Sequence, residues 1–72
     1  MADRTPRLRG KEWDTLRIAT LNRDGWTCAY CGKHLEGKDA QADHILALEN
    51  GGENALYNLV AACGKCNGTK SD

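Results

Sequence analysis

What the chain lacks sets its limits first. Its 72 residues are one domain at most. At that size too little apolar surface is buried to offset conformational entropy comfortably, so some staple is expected. No apolar stretch approaches the ~20 residues that cross a bilayer, and residues 1–10 are polar and basic, the opposite of a signal peptide's apolar centre. The chain therefore reads as soluble and cytoplasmic, with no membrane partner. In that setting thiols stay reduced, and Cys-x-x-Cys pairs bind metal more readily than they form disulfides. Internal repeats and low-complexity tracts are absent too.

Net charge is also missing, at zero by formal count, but the distribution is uneven. Residues 1–23 carry six basic side chains (Arg4, Arg7, Arg9, Lys11, Arg17, Arg23) against three acidic ones, and the remainder carries four basic against seven acidic. A basic end ahead of an acidic body suits a protein that holds phosphate with one part and cations with the other. A solvated basic tail is the plain alternative.

In chain order, residues 1–10 read as a flexible basic arm and residues 11–72 as a single domain. Residues 11–23 contain no Gly or Pro, and Trp13, Leu16, Ile18, Ala19 and Leu21 recur at helical spacing. Asp24-Gly25 gives a natural stop. Arg17 and Arg23, on the polar side, are candidates for phosphate contact.

Cys28 and Cys31 lie on a Gly-ended turn flanked by aromatics, which reads as a metal-binding knuckle. His34 is taken as a surface residue. Residues 41–48 read as a strand, with Ala42, His44, Leu46 and Leu48 on one face and Asp43, Ile45 and Ala47 on the other. Asn50 to Asn54 make a Gly-rich loop, Leu56, Leu59 and Val60 return to the core, and a short helix is expected from Asn67.

The pairs Cys28/Cys31 and Cys63/Cys66 are separated by 31 residues, the spacing of a four-thiolate site. Zinc is the leading occupant, ahead of a disulfide framework and of iron in a rubredoxin-like centre. Four cysteine ligands leave no open position, so such a metal is structural and any catalysis lies elsewhere.

Between and after the pairs stand Asp43-His44-Ile45, Gly51-Gly52, Asn58-Leu59, then Asn67 directly after Cys66, and Lys70. Over residues 28–70 this order resembles the HNH endonuclease family. Residues 11–32 are similar, more softly, to the lead-in of small bacteriophage HNH proteins encoded near packaging genes.

The resemblance implies an α+β, zinc-stabilised ββα-metal (His-Me finger) domain with a preceding N-terminal helix. Its knuckles are at 28–31 and 63–66, and its catalytic core lies at about 41–71. It implies His44 as general base, Asp43 as ligand to a catalytic cation, Asn58 as the residue that fixes the loop and so the base, and Asn67 as the second cation ligand. Asn67 stands where the family commonly has His. A neutral amide oxygen is a hard donor, so the expected cation is Mg²⁺ or Mn²⁺ rather than Zn²⁺. Lys70, Arg17 and Arg23 are the expected phosphate contacts.

The chemistry is coherent on its own terms. Phosphodiester hydrolysis needs a base for water, a cation for phosphate charge and groups that hold the backbone. The expected substrate is double-stranded DNA, nicked or cut with low sequence specificity, since no helix presents several base-directed side chains; the resemblance implies 5′-phosphate and 3′-hydroxyl ends. The resemblance to phage HNH proteins further implies phage terminase subunits as protein partners. The rivals are a non-catalytic zinc-knuckle binding module and an iron–thiolate electron carrier.

Overall fold

The computed structural model describes residues 8–70, with side chains through Gly68. Most of the basic arm read at residues 1–10, and the side chain of Lys70, therefore lie outside the described residues. The elements are helix α1 (Gly10–Arg23), strand β1 (Gln41–His44), strand β2 (Leu59–Ala62) and helix α2 (Gly64–Lys70), with single 3₁₀ turns at Gly37–Asp39, Leu48–Asn50 and Leu56–Asn58. No helix among the described residues is long and apolar enough to cross a membrane.

After its first residue, Gly10, α1 holds neither Gly nor Pro. It buries Thr20 and Leu21 and half-buries Trp13, Leu16 and Arg17, a stripe at i, i+3, i+4, i+7, i+8. The stripe differs from the expected one: Ile18 is 37% exposed, and the aliphatic stem of Arg17 takes part in its place. The hydroxyl of Thr20 is satisfied inside the helix, donating to Leu16 O at 2.9 Å.

The helix ends as the sequence suggested. Gly25 has φ +65°, and Trp26 N–H donates back to Leu21 O at 2.9 Å. The exit is then locked to the sheet. Arg23 pairs with both oxygens of Asp24 and donates to the carbonyls of Leu56 and Leu59, while Asp24 Oδ2 accepts Ala61 N–H at 2.9 Å.

β1 and β2 pair antiparallel, with Gln41 opposite Ala62, Ala42 opposite Ala61, Asp43 opposite Val60 and His44 opposite Leu59. The core around them is Leu21, Cys28, Leu35, Ala40, Ala61, Ala62 and Cys63. Three of those seven side chains are alanine methyls, so the core contributes little apolar area and the fold leans on its cross-links.

The strand expected over 41–48 stops at His44. The cause lies fourteen residues downstream of it, at Asn58. The side-chain amide of this buried residue takes both backbone groups of Leu46, with Leu46 N to Oδ1 at 2.9 Å and Nδ2 to Leu46 O at 3.0 Å, and Nδ2 also donates to Glu53 O at 2.9 Å. Leu46 thus spends its ladder groups on a side chain, and the backbone turns away.

Gly52 permits that turn. A Cβ there would lie 1.9 Å from Leu46 O, so only glycine lets the two backbone segments meet. α2 also starts earlier than expected, at Gly64 rather than Asn67, because Asp39 Oδ1 accepts the Gly64 N–H at 2.8 Å and so caps the first turn.

Candidate functional site

Three elements converge on one cavity of about 660 Å³, lined by Trp13 and Arg17 of α1, Asp43 and His44 of β1, Asn54 of the loop, and Asn67 of α2. Strand alternation predicts that Asp43 and His44 point apart, and along β1 Ala42 and Asp43 are buried while His44 is half-buried. Both nevertheless line the cavity, because it sits at the strand's end, where the chain bends and α1 closes over it.

His44 is fixed in two ways. Its ring stacks on Trp13 with centroids 5.6 Å apart and planes 15° from parallel, an offset aromatic contact. Its Nε2 lies 2.9 Å from Asn54 Oδ1. An amide oxygen only accepts, so this contact selects the tautomer that carries its proton on Nε2. The stack fixes the ring plane and the hydrogen bond fixes the rotation within it.

Asp43 is 8% exposed, and a carboxylate so placed needs donors. Tyr30, from the first cysteine turn, donates its hydroxyl to Asp43 Oδ2 at 2.6 Å. Burial and then this bond push the phenol up to about 12, so it stays a proton donor at every physiological pH.

Asn67 is oriented by Gln41, whose Oε1 accepts from Asn67 Nδ2 at 2.9 Å while its Nε2 donates to Lys38 O at 3.1 Å. This chain assigns the nitrogen end of the Asn67 amide and hence its oxygen end. Asp43 and Asn67 thus bring a carboxylate and an amide to the lining of one cavity.

The two cysteine pairs come together as one cluster. The four Sγ atoms of Cys28, Cys31, Cys63 and Cys66 lie within 4.8 Å of one another and are positioned to hold a metal ion, a donor set consistent with zinc. Burial raises the Cys28 thiol, but the backbone N–H groups of Cys63, Cys31 and Tyr30 outweigh it and bring the thiol down to about 6.

Cys66 is pushed the other way, to about 12, chiefly by its thiol contact with Cys63 and then by desolvation. Four thiols packed this closely cannot all ionise beside one another without a cation, and a bound dication would supply that charge.

The remaining expected site residues divide. Asn58 lies 7% exposed beneath the loop that follows His44 and holds it through the three bonds above. Ile45 N–H also donates to Asn58 O at 2.8 Å. Arg17 lines the cavity and is steadied by a bond from Nη1 to Ala40 O at 3.0 Å. Arg23 is committed to Asp24 and two carbonyls at the opposite end of α1. His34 is exposed and bridges to Thr27 across the first cysteine turn.

Trp13, Tyr30 and Asn54 were not picked out from the sequence. Trp13 and Tyr30 signal only packing there, and Asn54 signals only a turn.

An Asp-His strand end, a second strand, a short helix bearing an amide, and a thiol cluster alongside define a ββα nuclease-type unit. The HNH endonuclease family model matches residues 28–72, and the chain belongs to that family. Similar curated proteins include the CRISPR-associated endonuclease Cas9 of Actinomyces naeslundii, 38% identical over 60 residues, and that of Corynebacterium diphtheriae, 35% identical over 60 residues. Each alignment takes in 82% of this chain but only 5% and 6% of those proteins. The family match begins at Cys28, so α1 lies outside it although Trp13 and Arg17 line the same cavity.

Proposed function

We propose that the chain is a DNA endonuclease that hydrolyses phosphodiester bonds with a divalent cation, Mg²⁺ or Mn²⁺, held by Asp43 and Asn67. The observation that carries this is the convergence of Asp43, His44, Asn67 and Arg17 on one cavity, which brings an imidazole, a carboxylate, an amide and a guanidinium to one place. Family membership and the endonuclease relatives support it.

Bound there, the cation supplies neutralisation of charge on the phosphate and on the leaving oxygen. The chain's own groups do the rest. His44, its Nε2 side occupied by Asn54, takes a proton from water through the other ring nitrogen. The water oxygen attacks phosphorus and the bond to the 3′-oxygen breaks, leaving a 5′-phosphate and, after protonation, a 3′-hydroxyl. Arg17 holds a flanking phosphate, while Arg23 serves the fold. The substrate is double-stranded DNA, nicked or cut with low sequence specificity. A setting in phage DNA packaging, alongside terminase subunits, is part of the same proposal.

The test is conversion of supercoiled plasmid to open-circular or linear form across a metal series. Activity is expected with Mg²⁺ or Mn²⁺ and none with EDTA. Full activity with Zn²⁺ alone would overturn the cation assignment, and DNA binding without cleavage under any metal would show a non-catalytic zinc-knuckle module instead.

A further inference from the structure

We propose that Tyr30 is a positioning residue for the cation ligand Asp43, so that the turn carrying the first cysteine pair forms part of the cation site. The inference rests on the assignment of Asp43 as a cation ligand.

Tyr30 sits between Cys28 and Cys31. That turn is closed by Gly32 N–H to Cys28 O at 2.9 Å and Cys28 N–H to Lys33 O at 2.8 Å, and it is docked on β2 by Ala29 N–H to Ala61 O at 2.8 Å. The backbone from which the phenol projects is thus fixed by the thiol cluster on one side and the sheet on the other. Tyr30 itself is 48% exposed, so apolar burial does not explain its place. Its specific contact is the 2.6 Å hydrogen bond to Asp43 Oδ2.

That bond holds Asp43 Oδ2 and so narrows the rotation of the carboxylate about its Cβ–Cγ bond. A ligand carboxylate that loses such a partner is less well preorganised and binds its ion more weakly, and partners of this kind commonly matter by 10–100-fold in metal affinity. The physical consequence is that two metal sites with different jobs share one turn. The thiol cluster holds Tyr30, and Tyr30 holds the ligand of the cation.

Tyr30→Phe removes the hydroxyl and keeps the ring. Mn²⁺ binding is read by the electron paramagnetic resonance signal of free Mn²⁺, and plasmid cleavage is followed over a Mn²⁺ titration. The thiol cluster is monitored through the thiolate-to-cobalt charge-transfer band after loading with Co²⁺. The expected result is Mn²⁺ affinity weaker by on the order of tenfold, a matching rise in half-activating Mn²⁺, near-normal cleavage at saturating Mn²⁺ and an unchanged cobalt band.

Asp43→Ala is the companion variant. If it abolishes Mn²⁺ binding while Tyr30→Phe binds like the parent, the inference is overturned and the assignment of Asp43 stands. If Asp43→Ala binds Mn²⁺ normally, the assignment falls and the inference with it. Loss of the cobalt band in Tyr30→Phe would show that the hydroxyl serves the thiol cluster rather than the cation ligand, and would overturn the inference as well.

Discussion

Asn58→Ala is the substitution whose effect the structure fixes most closely. It deletes an amide that makes three hydrogen bonds, two to the backbone of Leu46 and one to Glu53 O, from a residue only 7% exposed. At about 1 kcal/mol per bond, with a further penalty for any backbone group left unpaired, the loss is about 3 kcal/mol. A 72-residue chain at ~0.05–0.15 kcal/mol per residue has roughly 4–11 kcal/mol in all.

The variant is therefore marginal. At ~4–8 °C per kcal/mol for a domain of this size, its Tm falls by roughly 12–24 °C. Thermal unfolding followed by circular dichroism, with the thiol cluster loaded, measures this directly. Asn58→Asp keeps the acceptor for Leu46 N–H but loses both donor bonds, so it should be no better than halfway between the two. A drop of less than ~4 °C for the alanine variant, equivalent to under 1 kcal/mol, would refute the view that this amide holds the loop behind His44.

Gly52→Ala should prevent the loop from closing, since the new methyl would fall 1.9 Å from Leu46 O. Its cleavage should drop well before its far-ultraviolet dichroism changes, and a fully active variant would contradict the packing. Arg23's hydrogen bond, together with the Ala61 N–H, holds the Asp24 carboxyl below its ordinary value. Its contribution to stability is therefore fully present above the unfolded pKa of about 3.9 and is lost as pH falls through the lower folded value. Asp24→Asn should accordingly flatten the stability-against-pH curve below about pH 4, and an unchanged curve would count against the clamp. Stripping the thiol cluster with a strong chelator should unfold the domain or sharply lower its Tm, because the core is largely alanine and cysteine; a chelated protein with unchanged unfolding would contradict the staple.

Much of the architecture was legible in local sequence. Residues 11–23 announced a helix through composition, and it runs Gly10–Arg23. The cysteine spacing announced a cluster, which the four thiols form. What escaped was set by partners far along the chain. Residues 45–48 are all apolar and read locally as more strand, yet the strand ends at His44 because Asn58 captures Leu46. No local pattern contains that bond.

The site divides in the same way. Asp43, His44 and Asn67 stood out by residue type and order. Trp13 against His44, Tyr30 against Asp43 and Asn54 against Nε2 are contacts across 31, 13 and 10 residues, and each partner residue has an ordinary local explanation. Helix periodicity also misplaced Ile18, since it assigns faces by hydrophobicity and does not foresee that Arg17 would turn inward to the Ala40 carbonyl.

The central claim is that the cavity between α1, β1 and α2 is a hydrolytic centre with His44 as its base. Plasmid nicking with Mg²⁺ or Mn²⁺ by His44→Ala, beside the parent chain and with DNA binding and thermal unfolding measured on both, tests it most directly. Cleavage should be lost while DNA binding is retained and the domain stays folded at the assay temperature, its Tm lowered only by the several °C that losing the Trp13 stack and the Asn54 hydrogen bond costs. Cleavage by His44→Ala at the parent rate would contradict it.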